Sequence, residues 1–353
     1  MEINQIYPDI SYGDAVSNDI IELRKILRDL GYSSEIYAQE ISPKCLNYIK
    51  PLSEYKGNID NIIIYHFALL GLDVTDLVKR LPDKKILVYH NITPTEFFNG
   101  YDSYLSNLCS KGRDELRSLI DHIDMAVGDS EYNCHELRKI GFKQTEALPV
   151  VVDVSKYADY DPNLAADLSK NNTINFLFVG RIAPNKRQDD VIKIFYYYNK
   201  YINSNSRLYL VGYKQVKKYV LELEDMIMRH NLSDKVFLTG LVDDKKLASF
   251  YRSSHIFLCM SEHEGFCVPL VEAMAFGIPV LAFAAAAIPD TLGNAGILLH
   301  RKDYAHIAEL INIIITDTAL REKIVKNQLE RSKDFHKDCI RPKLQDIIES
   351  LIR

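Results

Sequence analysis

The sequence predicts an α/β protein made of two doubly wound parallel sheets, each covered by helices on both faces. The chain has 353 residues, which is the usual length of two domains. Apolar runs alternate with helical segments along both halves. These runs are almost continuously hydrophobic, as is typical of parallel strands buried on both faces. Because parallel strands end at one edge, we expect a ligand at their carboxyl ends, in the cleft between the halves.

Residues 1–152 are predicted to form the first domain. A strand at residues 3–7 is followed by a helix at 14–30, in which apolar residues recur at helical spacing. Two of the later strands end in a histidine, His66 and His90. The further strands of this half are predicted at residues 34–38, 62–66, 85–90 and 125–128.

Residues 153–335 are predicted to form the second domain, and residues 336–353 a last helix. We expect a hinge at 149–153, ahead of a polar connecting segment at 157–172. The apolar residues of the last helix recur at helical spacing and need a partner surface. Strands are predicted at residues 174–179, 207–211, 236–239, 256–260, 278–283 and 297–299, and helices at 268–276, 303–316, 318–333 and 340–352.

The composition is that of a soluble globular protein with an acidic first half. Residues 1–150 hold 16 Lys and Arg against 23 Asp and Glu, which argues against nucleic acid as a partner because that binding needs clustered cations. It also argues against strong adhesion to anionic lipid, so we expect only weak peripheral membrane association. No stretch approaches the ~20 apolar residues of a membrane span. The six cysteines lack metal-binding spacing, and a reduced, cytoplasmic setting is expected.

The stretch at residues 261–277 combines the features of a binding site. Gly265 permits a tight turn, and Pro269 suits a first helical turn, which needs no N–H bond there. The unpaired N–H groups at such a helix start form a natural anion site. Glu264 lies just before this helix, and Glu272 lies about two turns along it. The arrangement suits a ligand that carries both hydroxyls and phosphates.

The spacing Glu264-x7-Glu272, followed by Gly-Ile-Pro-Val, resembles the donor signature of retaining glycosyltransferases with the GT-B fold, in which two Rossmann-like domains face a cleft. It is most similar to glycosyltransferase family 4, which includes bacterial mannosyl-, glucosyl- and N-acetylglucosaminyltransferases. The resemblance implies that Glu264 binds hydroxyls of the transferred sugar and Glu272 the nucleotide ribose. Gly265 and the amides near Phe266 and Cys267 would complete the donor contacts. The alternative is a solvated helix with an incidental pair of acids.

Two cations follow the first strand of the second half. The segment Gly180-Arg181-x4-Lys186 places Arg181 and Lys186 at a strand end, where positive charge suits a diphosphate. The segment resembles the second donor motif of the family, which implies that both cations stabilise the leaving diphosphate. Taken alone, it is also consistent with a pair of surface cations.

Candidate acceptor-side residues lie in the first half. Residues 89–94, Tyr-His-Asn-Ile-Thr-Pro, resemble the acceptor loop of bacterial polysaccharide glycosyltransferases, which implies that His90 approaches the transferred sugar. A histidine that satisfies backbone groups is the alternative. His66 is an acceptor candidate from its strand-end position alone. Gly13 resembles the glycine that lets a loop approach the donor phosphates, and Asp14 is a candidate for acceptor hydroxyls or for the helix N-cap.

Two other segments bear on donor and metal binding. Residues 284–287 are alanines where the family usually has glycine or small polar residues, so side-chain contacts are lost and backbone amides are expected to stay available. Asp159 and Asp161 mimic the metal motif of another glycosyltransferase fold, but they lie in the polar connecting segment, and no metal site is predicted. The absence of G-x-G-x-x-G after the first strand and of a P-loop motif argues against a dinucleotide oxidoreductase and a P-loop kinase.

The resemblance implies a retaining, metal-independent hexosyltransferase of surface polysaccharide assembly, similar to enzymes of lipopolysaccharide O-antigen and capsule. Its partners would be a nucleotide-sugar donor, GDP-mannose being preferred over UDP-sugars, and a glycan or lipid-linked acceptor at the inner face of the membrane. No cofactor is expected. The resemblance also implies that the last helix, 336–353, packs back on the first domain. Two alternatives stay open: a nucleotide-sugar epimerase of similar fold, and an inactive sugar- or nucleotide-binding subunit.

Overall fold

The chain divides into two compact units in a computed structural model that describes residues 1–11, 13–71 and 73–352. The first unit comprises Met1–Glu96, Tyr104–Val152 and Phe335–Arg353, and the second comprises Phe97–Ser103 and Asp153–Asp334. The division after Val152 falls within the segment expected to be a hinge. The short segment Phe97–Ser103 groups with the second unit, although the sequence places it in the first domain. Arg353, the end of the predicted last helix, lies outside the described residues.

The first unit contains a seven-stranded parallel sheet. Its strands and helices, in chain order, are β1 (Ile3–Ile10), α1 (Ala15–Asp29), β2 (Ile36–Ile41), β3 (Lys50–Pro51), β4 (Ile62–Phe67), α2 (Asp73–Arg80), β5 (Lys84–Tyr89), α3 (Ser103–Arg117), β6 (Met125–Gly128), α4 (Glu131–Ile140) and β7 (Thr145–Ala147). The sheet order is β3-β2-β1-β4-β5-β6-β7. β1 therefore lies between the two directions of winding, where the carboxyl ends of the strands leave room for a ligand.

The five strands predicted for this unit are confirmed, and two short strands were missed. All six residues of β4 are buried, which explains why its apolar run is continuous. β3 has only two residues, and both are exposed, so no hydrophobic pattern marks it. β7 has three residues, none of them buried. Such edge strands are defined by backbone pairing and carry little signal in the sequence.

The second unit contains a six-stranded parallel sheet in the order β10-β9-β8-β11-β12-β13. The elements are α5 (Pro162–Leu168), β8 (Ile174–Val179), α6 (Gln188–Tyr201), β9 (Ser206–Val211), α7 (Lys217–Arg229), β10 (Val236–Gly240), α8 (Asp244–Arg252), β11 (Ile256–Cys259), α9 (Val268–Ala275), β12 (Val280–Phe283), α10 (Ile288–Leu292), β13 (Ile297–Leu299), α11 (Tyr304–Thr316) and α12 (Thr318–Lys333). The six predicted strands are confirmed. The polar connecting segment is partly helical, because Asp161 caps α5 by accepting from two of its backbone N–H groups.

The last helix, α13 (Lys337–Ile352), packs on the first unit. Its buried residues Ile340, Leu344 and Ile348 share a hydrophobic cluster with Leu23 and Leu27 of α1. Burial of each such side chain contributes about 1.5–3 kcal/mol. Within residues 1–11, 13–71 and 73–352, none of the helices combines the length and hydrophobicity needed to cross a bilayer.

Candidate functional site

Two glycines let the ends of β8 and β9 approach each other. Gly180 follows β8 and Gly212 follows β9, with φ angles of 152° and 151°. A Cβ added to Gly212 would lie 2.0 Å from the carbonyl oxygen of Gly180, so a side chain there would displace backbone. Arg181, which follows Gly180 in the sequence, is exposed. Its main-chain carbonyl accepts a hydrogen bond from Gln188 at 2.9 Å.

Lys186 and Glu264, predicted to contact the diphosphate and the sugar, form an ion pair. Lys186 ends a 3₁₀ turn, Pro184–Lys186, and its Nζ lies 2.6 Å from Oε2 of Glu264. The two side chains are 13% and 9% exposed. Shielding from water strengthens the attraction between them. The fold thus brings together two charged side chains that lie 78 residues apart.

Asn185 ties the loop of Lys186 to the loop of Glu264. Its side-chain Nδ2 donates to the main-chain carbonyl oxygen of His263 at 3.2 Å. Its main-chain carbonyl oxygen accepts from the N–H of Glu262 at 2.9 Å. Asn185 is buried. The sequence does not mark Asn185 as a site residue, because a single asparagine between a proline and a lysine is an ordinary turn residue.

Arg187 pairs with a different buried acid from the one that pairs with its neighbour Lys186. Its Nε lies 3.0 Å from Asp190, which is completely buried. Lys302 and the Tyr304 hydroxyl also donate to Asp190, each at 2.7 Å. Burial alone would raise the pKa of Asp190, but these three donors together hold it well below its usual range. The network anchors the start of α6 and holds Arg187 in ion pairs separate from that of Lys186 with Glu264.

The turn before α9 contains a residue in the left-handed conformation. Gly265 and the buried Phe266 lead into Cys267, whose φ is 76°. This left-handed conformation costs a residue with a side chain about 1 kcal/mol, and such strain is commonly found at ligand sites. Pro269 occupies the first turn of α9. The structure confirms the predicted helix, which ends one residue before the predicted position.

Glu272 is held more tightly than the sequence suggests. It is 4% exposed, and its two carboxylate oxygens accept hydrogen bonds from Tyr157 at 2.9 Å and Tyr251 at 2.8 Å. Lys156 forms an ion pair with it at 3.2 Å. Burial and the charge of Glu272 raise the pKa of both tyrosines. The carboxylate therefore joins α9 to α8 and to the start of the second unit, in addition to any contact with a ligand.

The expectation that the amides of residues 284–287 stay available is wrong for three of the four. The N–H groups of Ala284, Ala285 and Ala287 donate to the carbonyl oxygens of Leu299, Phe283 and Glu264. Small side chains let the loop fold tightly on itself and on the Glu264 loop, and this folding uses the amides.

Two places in the described part of the second unit carry acidic or sulfur side chains of the kinds that bind metals. The thiols of Cys259 and Cys267 and a carboxylate oxygen of Glu264 lie within 4.8 Å of one another, although their spacing in sequence gives no sign of it. Lys186, 2.6 Å from Glu264, opposes a second cation at this place. Asp161 caps α5, and Asp159 forms an exposed ion pair with Lys245, as expected for a solvated turn.

In the first unit, Gly13 and Asp14 precede α1. Gly13 has a φ of 82°, and a Cβ there would meet no atom within 4 Å, so its backbone faces open space. The Asp14 carboxylate accepts from the N–H of Ser17 at 3.1 Å. It is the N-cap of α1, which was one of its two predicted roles.

The ring nitrogens of His66 and His90, which were expected to contact an acceptor, are hydrogen-bonded inside the unit. His66 is completely buried, and its nitrogens contact Gln5 and His90, each at 2.9 Å. The other ring nitrogen of His90 lies 3.0 Å from Asp129, and its side chain is 2% exposed. A ring whose two nitrogens are bonded inside the unit has no donor left for a sugar hydroxyl. The exposed part of His90 is therefore its main chain.

Comparison with known proteins identifies the second unit. The family model described as glycosyl transferases group 1 matches residues 161–331. This range contains Arg181, Lys186, Glu264 and Glu272.

Relatives match the chain at low identity. O-antigen chain mannosyltransferase B of Escherichia coli is 26% identical over 159 residues, which is 45% of this chain and 41% of that protein. The capsular polysaccharide biosynthesis glycosyltransferase CapM of Staphylococcus aureus is 28% identical over 50% of this chain and 46% of its own length. The chain thus spans under half of each of these relatives. N-acetyl-alpha-D-glucosaminyl L-malate synthase of Bacillus anthracis is 24% identical over 94% of this chain and 80% of its own.

Solved structures match over the whole chain. Sucrose-phosphate synthase from Thermosynechococcus elongatus has a TM-score of 0.77 at 18% identity and covers 100% of this chain and 99% of its own. The Anabaena protein HepE, in complex with UDP-glucose, has a TM-score of 0.75 at 18% identity, covering 99% of this chain and 100% of its own. Identity this low shows the fold alone. The chain therefore has the GT-B fold of two parallel-sheet domains, and its residues 161–331 match the model of glycosyl transferases group 1.

Proposed function

We propose that the protein is a retaining glycosyltransferase that moves a sugar from a nucleotide-diphosphate sugar to a glycan or lipid-linked glycan in surface polysaccharide assembly. The observation that carries this proposal is the shielded Lys186–Glu264 pair beside the start of α9. A cation that meets a carboxylate there suits a ligand with a diphosphate next to sugar hydroxyls.

Each group of the site has a role in the transfer. Lys186 and Arg181 neutralise the charge that develops on the leaving diphosphate, and Glu264 accepts hydrogen bonds from hydroxyls of the sugar. The bond from the anomeric carbon to the phosphate oxygen breaks, and a bond to the acceptor oxygen forms on the same face. The acceptor proton passes to the leaving phosphate, so no protein base is required. Glu272 contributes by holding α9 in place and by contact with the nucleotide.

GDP-mannose is the first donor to test, because an O-antigen mannosyltransferase is among the relatives. UDP-sugars belong in the same panel, because a structural neighbour was solved with UDP-glucose. We expect one donor to release its nucleoside diphosphate slowly in water and faster with a glycan acceptor. Glu264→Gln is expected to abolish this release. Conversion of a donor to its epimer would contradict the proposal. So would a panel in which no nucleotide sugar binds to the protein and none releases its nucleoside diphosphate.

Transfer is expected to survive excess EDTA. The reason is that Lys186 and Arg181 supply the positive charge that a metal ion supplies in other transferases. Turnover should be measured with protein dialysed against EDTA and then supplied with Mg²⁺ or Mn²⁺. Loss of turnover on dialysis and its recovery with either ion would contradict the metal-independent proposal.

A further inference from the structure

Four buried side chains form a continuous chain across adjacent strands of the first sheet. Gln5 lies on β1, His66 on β4, His90 after β5 and Asp129 after β6. Oε1 of Gln5 lies 2.9 Å from Nε2 of His66, Nδ1 of His66 lies 2.9 Å from Nε2 of His90, and Nδ1 of His90 lies 3.0 Å from Oδ2 of Asp129. Buried polar atoms are hydrogen-bonded as a rule, so each contact requires a hydrogen of its own.

A main-chain carbonyl determines the direction of the first contact. Nε2 of Gln5 lies 2.9 Å from the carbonyl oxygen of Ile20. Because a carbonyl oxygen only accepts, the amide nitrogen must face Ile20, and the amide oxygen must face His66. Nε2 of His66 therefore carries a hydrogen and donates it to Gln5.

Counting hydrogens then shows one more proton than two neutral rings supply. Three contacts need three hydrogens, and each neutral imidazole has one. Of the two rings, His90 is the one hydrogen-bonded to a carboxylate. Burial lowers the pKa of His90, but Asp129, Asp19 and Asp14 outweigh it and raise this pKa. Burial and the charge of His90 lower the pKa of His66. The hydrogen count leaves the extra proton to His90 or to Asp129, and the negative carboxylates around His90 favour its ring.

The geometry of the rings fits a proton between them. The two imidazole planes differ by 9°, and their centroids are 5.2 Å apart. With the facing nitrogens of His66 and His90 at 2.9 Å, both nitrogens lie close to the line between the ring centres. This is the geometry of a straight N–H···N hydrogen bond. Two nitrogens that bind one metal ion point instead at a third position beside that line.

We propose that Gln5 and His66 are positioning residues that hold His90 as a buried imidazolium paired with Asp129. The ion pair with Asp129 keeps the His90 ring inside the unit, so the segment of His90 and Asn91, whose φ is 73°, is held in one conformation. The role of that conformation rests on the proposed function, in which this segment is the acceptor loop. The titratable groups around the ring are Asp129, Asp14 and Asp19; burial raises the pKa of Asp19 to about 7, and its carboxylate accepts from the N–H of Val151 at 2.9 Å.

The charge is measurable by long-range ¹H–¹⁵N spectra of histidine-labelled protein between pH 5 and pH 9, with His90 assigned from a His90→Asn sample. In the wild type, we expect both nitrogens of His90 to stay protonated above the ordinary histidine pKa of about 6.5. His66 should be neutral with its hydrogen on Nε2. In Gln5→Leu, His66 is free to move its hydrogen to Nδ1 and donate to His90. The titration midpoint of His90 should then fall by about one pH unit.

Asn4→Leu is the matched control, because Asn4 is a buried amide on the same strand that bonds Glu2 and Glu35 outside this chain of contacts. Its His90 midpoint should equal that of the wild type. A neutral His90 at pH 6 in the wild type overturns the proposal, and so does binding of one equivalent of Co²⁺ that His66→Phe abolishes. The wild-type spectrum decides even where Gln5→Leu does not fold. Because no substrate is present, failure of the proposed function would leave this result unchanged.

The proposal also predicts a shift in the pH profile of transfer. As the pH is raised, kcat of Gln5→Leu should fall at a lower pH than kcat of the wild type. The difference in pH should equal the difference between the two His90 titration midpoints, and KM for the donor should stay unchanged. A purely structural role for Gln5 would lower kcat equally at all pH values, and that result would also overturn the proposal.

Discussion

Replacing Lys186 by alanine is expected to lower the turnover of the donor about 100-fold or more, the effect of losing one preorganised charge contact in the transition state. Lys186 pairs with Glu264 at 2.6 Å and is 13% exposed, so it faces the site and supports no hydrophobic core. The variant also leaves the Glu264 carboxylate without its partner, which adds to the loss. Steady-state turnover with the donor identified in the panel measures the effect.

Lys245→Ala is the matched control for this variant. Lys245 pairs with Asp159 at 2.5 Å in the same unit, but the two side chains are 64% and 70% exposed. Exposed pairs contribute only about 0–1 kcal/mol, so turnover and melting temperature should both stay close to the wild type. If Lys186→Ala retains near-normal turnover while folded, the assignment of Lys186 to the leaving diphosphate is wrong.

Replacing Glu272 by alanine is expected to destabilise the second unit by about 3 kcal/mol, the lower range for breaking a buried ion pair. The variant leaves the hydroxyls of Tyr157 and Tyr251 and the Lys156 ammonium without their acceptor. Urea unfolding followed by circular dichroism measures the loss. Glu272→Gln keeps the shape and one acceptor oxygen, so it should cost about 1–2 kcal/mol.

The glutamine variant separates the structural role of Glu272 from its role toward the nucleotide. If Glu272 also contacts the ribose, Glu272→Gln should weaken nucleotide binding more than its small loss of stability explains. Tyr251→Phe serves as the control, because it removes a bond to the same carboxylate and leaves the charge in place. An alanine variant as stable as the wild type would show that the two tyrosines do not depend on Glu272.

The loops that carry Lys186 and Glu264 show which features of a site local sequence patterns can predict. Pro269 and Gly277 mark the ends of α9 because their backbone preferences act within a few residues. Glu264 and Lys186 were identified separately, each from its own segment. Their direct contact was not predicted, because it depends on how β8 and β11 pair in the sheet. Asn185 and Tyr251 carry no local signal at all, since an asparagine in a turn and a tyrosine in a helix are common.

His90 shows the opposite case, in which the position of the residue was predicted correctly but the direction of its ring was not. Its position at the end of β5 was predicted, and strand ends of a parallel sheet are where ligands bind. The ring nevertheless turns inward, because Asp129 at the end of the adjacent β6 and His66 on β4 offer it hydrogen bonds. These partners lie 39 and 24 residues away in sequence.

The main strands and helices, the two parallel sheets and the position of α9 follow from the sequence alone, because hydrophobic periodicity and Gly and Pro preferences act over short distances. The short edge strands β3 and β7 do not. The partners of the buried charges do not follow from the sequence either. Asp190 with Arg187 and Lys302, Glu272 with its tyrosines, and His90 with Asp129 meet only when strands and helices distant in sequence pack together. Burial then makes these contacts decisive, since a charge removed from water must find a partner or change its protonation.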